Sequence, residues 1–415
     1  MNLSISKFGV ILLLIAAAVP SAARAGEKRA AADTARDPKS QAAISADAVR
    51  PHVEYLASPR LEGRGTPRGK KLARDYLCRQ FEELQLEPLF GKSGYIQEIP
   101  GLVDKQGERT ILGRNVGAWL RGSDPDLCDE FVILSAHYDH LGVDKEGRIY
   151  TGADDNAGSV AMMLEVARKF STAGQRPRRS IVFLSCDLEE KLLWGSRWFV
   201  AHPPWPIQQV KLFITAEMIG RTLGDLPMKT IFVLGAERGE GLRARVNDVT
   251  LPPELQVAHL GIDIVGTRSD YGPFQSEKVP FLFFSGGEHP DYHTPRDTAD
   301  RVDYDRVAHV SNLIDSICRA VAEADAPPAW IDQPRHELDE IRALHGITEL
   351  LLKADDAEQD DANGNARRPR LTQMQRFTVT NMHQRTGQIL ERGQVKPDER
   401  PWVVRAAQML LLTVF

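Results

Sequence analysis

The sequence predicts an α/β protein, a three-layer α/β/α sandwich around a mostly parallel mixed sheet. Two observations carry this reading. Short aliphatic or β-branched runs recur at residues 131–135, 181–185, 212–215, 230–234 and 279–284. Each is nearly continuous in apolar character, as a strand covered on both faces requires. Between the first two runs lie residues 157–170, where Val160, Leu164 and Ala167 mark one stripe of a helix. Strand, helix, strand is the order of parallel strands joined by crossover helices.

The flanking segments have their own logic. Lys7, the apolar run 8–19 and the small-x-small triplet Ala23-Arg24-Ala25 read as a signal peptide over residues 1–25, which implies export to the periplasm or beyond. The run is too short to cross a bilayer comfortably. Residues 26–44 lack apolar periodicity and read as a flexible leader, with order beginning near Ser45. Leu77, Phe81 and Leu84 predict a helix over residues 69–84 at the start of a domain spanning 45–325. Beyond it, Pro327-Pro328 introduces a C-terminal helical extension, 326–415. It holds a helical pattern at 338–352, an acidic linker near 354–370, and an apolar stretch at 402–415 that is long enough to dock but not to span a membrane.

Composition narrows the function. A chain of 415 residues, 42% hydrophobic and 26% charged, can bury a large core. Its net charge of −5 supplies no basic field for phosphate backbones, so nucleic acid is not an expected partner. Cys78, Cys128, Cys186 and Cys318 are scattered without metal-binding spacing and are expected as buried apolar side chains or at most one disulfide.

Acidic and imidazole side chains gather where the predicted strands end. His137-Tyr138-Asp139 follows the first run, Glu189-Glu190 the second, Glu217 the third and Asp291-Tyr292-His293 the last. Ligands of parallel sheets collect at this rim. A Glu-Glu pair alone is usually a solvated helix start, and a lone histidine is usually structural, so their joint placement is the signal.

Several motifs stand in one order: His137-Tyr138-Asp139-His140-Leu141-Gly142, Gly152-Ala153-Asp154-Asp155-Asn156-Ala157-Gly158, Glu189-Glu190 with Gly195-Ser196, Met218-Ile219-Gly220-Arg221, Ser269-Asp270 and Tyr292-His293-Thr294-Pro295. Together with Leu61-Glu62-Gly63-Arg64-Gly65 near the start, they resemble the M28 family of zinc aminopeptidases from about Ala46 to Val310. The resemblance implies two zinc ions per chain bridged by Asp155, with His137 and Glu217 on one and Glu190 and His293 on the other. It also implies Asp139 as a support that fixes the His137 tautomer, Glu189 as general base and Tyr292 as a hydrogen-bond donor to the oxyanion. These residue types suit zinc and metal-assisted hydrolysis of a peptide substrate. Three positions depart from the family's pattern: Glu217 where Asp is usual, Tyr271 where a histidine often follows Ser-Asp, and Leu192 where Gly often follows the Glu pair. Trp194 nearby is read as lining the pocket or packing under it. Two alternatives remain beside the exopeptidase. Ala161-Met162-Met163-Leu164-Glu165 looks like a helix of single-zinc glutaminyl cyclases, and a catalytically silent binding homologue would keep the fold without the chemistry. Oligomeric state has no sequence signal.

Overall fold

The computed structural model describes residues 42–103, 107–335, 337–356 and 371–414. The expected signal peptide, nearly all of the leader and most of the acidic linker lie outside the described residues. The chain opens with helices α1 (Ala46–Leu56) and α2 (Pro67–Glu83). Thr66 starts α2 by accepting the Gly69 N–H at 3.0 Å, and Pro67 fills a position where no N–H is needed. Strands β1 (Glu87–Pro88), β2 (Ile96–Val103), β3 (Arg109–Leu120) and β4 (Phe131–Ser135) follow, then the small hairpin β5 (Gly142–Val143) and β6 (Ile149–Tyr150). The remaining strands are β7 (Ser180–Ser185), β8 (Val210–Glu217), β9 (Thr230–Leu234), β10 (Gln256–Leu260) and β11 (Phe281–Ser285). Helices α3 (Gly158–Ser171), α4 (Trp194–Ala201), α5 (Leu242–Asn247), α6 (Tyr271–Ser276) and α7 (Tyr304–Glu323) alternate with them. Three more close the chain: α8 (Leu338–Asp356), α9 (Gln373–Arg392) and α10 (Arg400–Thr413).

Nine strands make one sheet in the order β1-β3-β7-β4-β8-β11-β9-β10, with β2 paired to β3. The parallel part is its centre, β7-β4-β8-β11; β3 runs antiparallel to β7, and β9 antiparallel to β11. The sheet is therefore mixed, with a parallel core between reversed flanks. All four central strands point their carboxyl ends to one rim.

Side-chain alternation divides the core in two. Val132 and Leu134 of β4, with Leu212 and Ile214 of β8, face a cluster that includes Val53 of α1, Val160 of α3 and Val307 of α7. Phe131, Ile133 and Phe213 face the opposite cluster, with Phe199 of α4 and Phe274 of α6. Phe213 stacks on Phe274 with ring centroids 3.8 Å apart. This is why the strand sequences carry no polar side: both faces are covered.

The second cluster extends into the C-terminal helices through Leu344 and Leu351 of α8, Met382 of α9 and Val403 of α10. A capping box of Thr372 and Gln375 starts α9, and Gly393 at φ 76° ends it. Arg400 at the head of α10 pairs with the buried Glu340 of α8 and with Asp263 beyond β10. Glu340 also accepts the Gly261 N–H at 3.0 Å. Among the described residues no helix is long and apolar enough to cross a membrane. All four cysteines are free, and three of them are buried.

Because α8 shares one core with the sheet, Leu351→Ala should cost about 2–5 kcal/mol, as for other truncations of a fully buried leucine. Urea unfolding followed by both tryptophan fluorescence and circular dichroism should move as one transition. Separate transitions would mean that the C-terminal helices fold as a unit of their own.

Candidate metal centre

Each acidic or imidazole residue of the site leaves the sheet at the same rim. His137 stands two residues beyond β4, Glu189 and Glu190 beyond β7, Glu217 ends β8, and His293 follows β11. Asp155 belongs to the irregular turn Ala153–Ala157 that leads into α3. The backbone around them is bent sharply: Leu188, Leu192, Leu193, Met218 and His293 all have positive φ, a conformation that non-glycine residues adopt mainly where surroundings enforce it. Gly152 at φ 58° is required for a second reason, since a Cβ there would lie 2.2 Å from the Asp155 carbonyl oxygen.

Two donor groups result. His137, Glu189 and Glu217 form one; His140, Asp155, Glu190 and His293 form the other. Asp155 also faces the first group, because its Oδ1 lies 3.5 Å from His137 Nε2 while its Oδ2 lies 3.2 Å from His293 Nε2. Glu217 Oε1 stands 3.8 Å from His137 Nε2, and Glu190 Oε2 stands 3.3 Å from His293 Nε2. The adjacent glutamates are thus split between the groups, with Glu189 Oε2 4.0 Å from His137 Nε2.

The electrostatics of this cluster fit a cation. Burial pushes Glu189 well above the ordinary carboxylate range, against the pull of His137, and burial pushes Glu217 up to about 8. Burial would raise Glu190 too, but the hydrogen bond from His140 and the close approach of His293 outweigh it and bring the group down to about 2. Burial works against protonation of His293, yet contacts with Asp155 and Glu190 raise it to about 10. Glu217 Oε1 and His293 Nε2 are buried without a hydrogen-bond partner. Unpartnered oxygen and nitrogen donors converging on one spot are the chemistry of a metal site.

The model of peptidase family M28 matches residues 115–317. Endoplasmic reticulum metallopeptidase 1 of Homo sapiens is 26% identical over 288 residues, 67% of this chain but only 30% of that relative. Glutaminyl-peptide cyclotransferase of Bothrops jararaca is 24% identical over 227 residues, 45% of this chain and 61% of that protein. The chain therefore spans about a third to three fifths of the length of these relatives. Among solved structures, the LapA aminopeptidase of Legionella pneumophila shares the fold at a TM-score of 0.52 and 19% identity, covering 68% of this chain and 73% of that one. Residues 115–317 are thus similar to peptidase family M28.

All eight site residues read from the sequence lie in or beside this cleft, though not each in the arrangement expected. For His137 Nδ1 the nearer acceptor is the main-chain carbonyl of Asp139 at 3.2 Å; the Asp139 carboxylate is at 3.8 Å and instead accepts the Glu189 N–H at 3.1 Å. Tyr292 lines the cleft with its ring stacked on His293 at 3.8 Å. The departures from the M28 pattern take different places. Glu217 reaches the cluster, Leu192 is an exposed rim residue, and Trp194 is half-exposed at the start of α4. Tyr271 is fully buried and donates its hydroxyl to the Gly266 carbonyl at 2.6 Å, so it belongs to the core.

Sequence reasoning gave no role to four residues that hold the centre. His140 places Nδ1 2.8 Å from Glu190 Oε1. Asp297 accepts the N–H groups of Asp154 and Asp155 at 2.9 and 3.0 Å. Asp291 is gripped by Arg221, Arg296 and Arg301 at 2.6–2.9 Å, which fixes the loop that carries His293. Arg64 is completely buried and donates to the carbonyls of Leu56, Tyr138, Thr151 and Gly152 at 2.7–2.8 Å, with Asp155 O at 3.4 Å. It joins the His137 loop to the Asp155 turn. The signal for it was the Gly63-Arg64-Gly65 triplet, since a Cβ on Gly63 would lie 2.1 Å from the Tyr150 carbonyl oxygen.

Arg64→Met removes the guanidinium donors from four carbonyls and should destabilise the fold by roughly 3–5 kcal/mol, the range for breaking a buried charged network. Arg64→Lys keeps the charge but lacks the planar fork and should recover only part of that. Urea midpoints of the two variants against the parent test the point; a lysine variant equal to the parent would make geometry irrelevant.

Proposed function

We propose that this chain is a zinc-dependent exopeptidase that binds two zinc ions and releases N-terminal residues from peptides. The observation that carries the reading is the placement of Asp155, whose two carboxylate oxygens face two separate donor groups. His137 and Glu217 would hold one ion, Glu190 and His293 the other, with Asp155 shared between them. His140 would orient Glu190. Such a pair supplies an acidified water and polarises the carbonyl of the scissile bond.

The chain's own residues do the rest. Glu189 stands half-buried at the edge of the first group with its Oε2 4.0 Å from His137 Nε2, a position that suits a base that takes a proton from water and passes it to the departing amine. The Tyr292 hydroxyl lines the same cleft, where it can donate to the oxygen that gains charge. Leu192 and Leu193 border the cleft and help exclude water from it. The reading places the enzyme outside the cytoplasm on the strength of its first 25 residues, with peptides as substrate.

A single-zinc glutaminyl cyclase is the second reading, favoured by the Bothrops jararaca relative. Metal analysis separates the two: the exopeptidase reading expects close to two zinc per chain and cleavage of aminoacyl chromogenic substrates, abolished by chelator and restored by zinc. One zinc with cyclisation of an N-terminal glutamine peptide would favour the alternative. Zinc addition should also raise the melting temperature of stripped protein in proportion to the logarithm of its concentration, by mass action.

Glu189→Gln keeps the volume and loses the base. It should retain zinc within error while kcat falls about 100-fold to 10,000-fold. A Gln variant as active as the parent would remove Glu189 from the mechanism and with it the catalytically competent assignment of the pair Glu189-Glu190.

A further inference from the structure

Asp154 stands immediately before the shared Asp155 and is completely buried, yet it belongs to neither donor group. Its two carboxylate oxygens reach two different loops. Oδ1 accepts the Gly220 N–H at 2.6 Å, three residues beyond Glu217. Oδ2 lies 3.4 Å from Nε2 of His289, four residues before His293. The His289 side chain is buried as fully as that of Asp154, and its Nδ1 accepts the Asp291 N–H at 3.3 Å. The neutral ring therefore carries its proton on Nε2, toward Asp154, as the hydrogen-bond pattern assigns it. Among the described residues neither Asp154 Oδ2 nor His289 Nε2 has a hydrogen bond to any other group. Glycine is needed at 220 for this contact, since a Cβ there would lie 2.8 Å from Asp154 Oδ1. The turn holding Gly220 is braced from its other side, where Gly286 donates to the Met218 carbonyl at 2.9 Å and Asp303 donates to the Gly220 carbonyl at 3.0 Å.

We infer that Asp154, acting with His289, is a positioning residue that sets the spacing between the two donor groups of the centre. The inference rests on the two-ion reading and adds to it the device that holds the two halves in register. Glu217 belongs to the first group and His293 to the second, and Asp155 is shared between them. One carboxylate bonded to the loops of Glu217 and His293, and covalently next to Asp155, limits the movement of all three relative to one another. The residue type follows from the partners. Gly220 N–H and His289 Nε2–H are both donors, so two acceptor oxygens satisfy both, whereas an asparagine offers one oxygen and turns an N–H toward the remaining donor. A buried pair left unmade is costly, and the loop with fewer other ties gives way. Partners that orient metal-binding groups typically alter metal affinity about 10-fold to 100-fold.

The test uses the full chain stripped of metal, with zinc added back stepwise under calorimetry, for the parent, Asp154→Asn, His289→Gln and the double variant. The parent should take up two ions. Asp154→Asn and His289→Gln should each weaken the second ion about 10-fold to 100-fold and leave the first nearly unchanged, and the zinc concentration for half-maximal activity should rise by the same factor. In the double variant the glutamine oxygen can accept from the asparagine amide, so the losses should fall short of additive. Circular dichroism of the stripped proteins identifies a variant that fails to fold, and the other single variant then decides. Melting temperatures that fall while both zinc steps match the parent, or two steps weakened equally, overturn the positioning role and leave the two-ion reading standing. A parent that takes up a single ion overturns the two-ion reading and the spacing device with it.

Discussion

Negative charge held away from water is the constraint around which this structure is organised. Asp155, Glu189, Glu190 and Glu217 meet within a few ångströms at the end of a buried sheet. Two unit charges 4 Å apart repel by about 4 kcal/mol at an effective dielectric of 20, so such a group cannot ionise fully without compensation. The chain answers locally with His137, His140 and His293 among the carboxylates and with Arg64 beneath them. Burial nevertheless leaves Glu189 and Glu217 with raised proton affinity, the condition that divalent ions would relieve.

The same rim could be drawn from the primary structure because strand ends and side-chain chemistry coincide. Runs 131–135 and 230–234 match β4 and β9 residue for residue, and the acidic and imidazole residues follow the central strands within a few positions. A buried strand signals itself by unbroken apolar character. The sheet's reversed flanks were not legible: β3 alternates around Arg114 and Asn115 with no clear face, and the direction of β9 depends on contacts with β11 across a long separation. Nor was the role of Arg64, His140, Asp291 or Asp297, because a residue that acts by holding backbone or another side chain is recognised only by the partner the fold brings to it. Helix α9 escaped notice for a related reason, since few of its residues are buried and its stripe is thin.

The C-terminal helices lie beyond the residues that the family model matches and still share a core with the sheet. Helix α10 is anchored by one arginine to two acidic partners, Glu340 and Asp263, and by apolar packing of Val403 and Ala407. The anchoring places aliphatic side chains over β9, β10 and β11, whose outer surface would otherwise meet water. Covering the sheet and fixing the helix are thus achieved by the same few contacts.

The Arg64 cradle has one more implication. Its acceptors lie 8, 74, 87 and 88 residues away along the chain, so the two loops it ties cannot be brought together by local structure alone. Long closures of this kind are completed during tertiary collapse. The freedom of the donor loops is consequently surrendered while the polypeptide folds, and an arriving ion meets a cradle already set, with little left to rearrange.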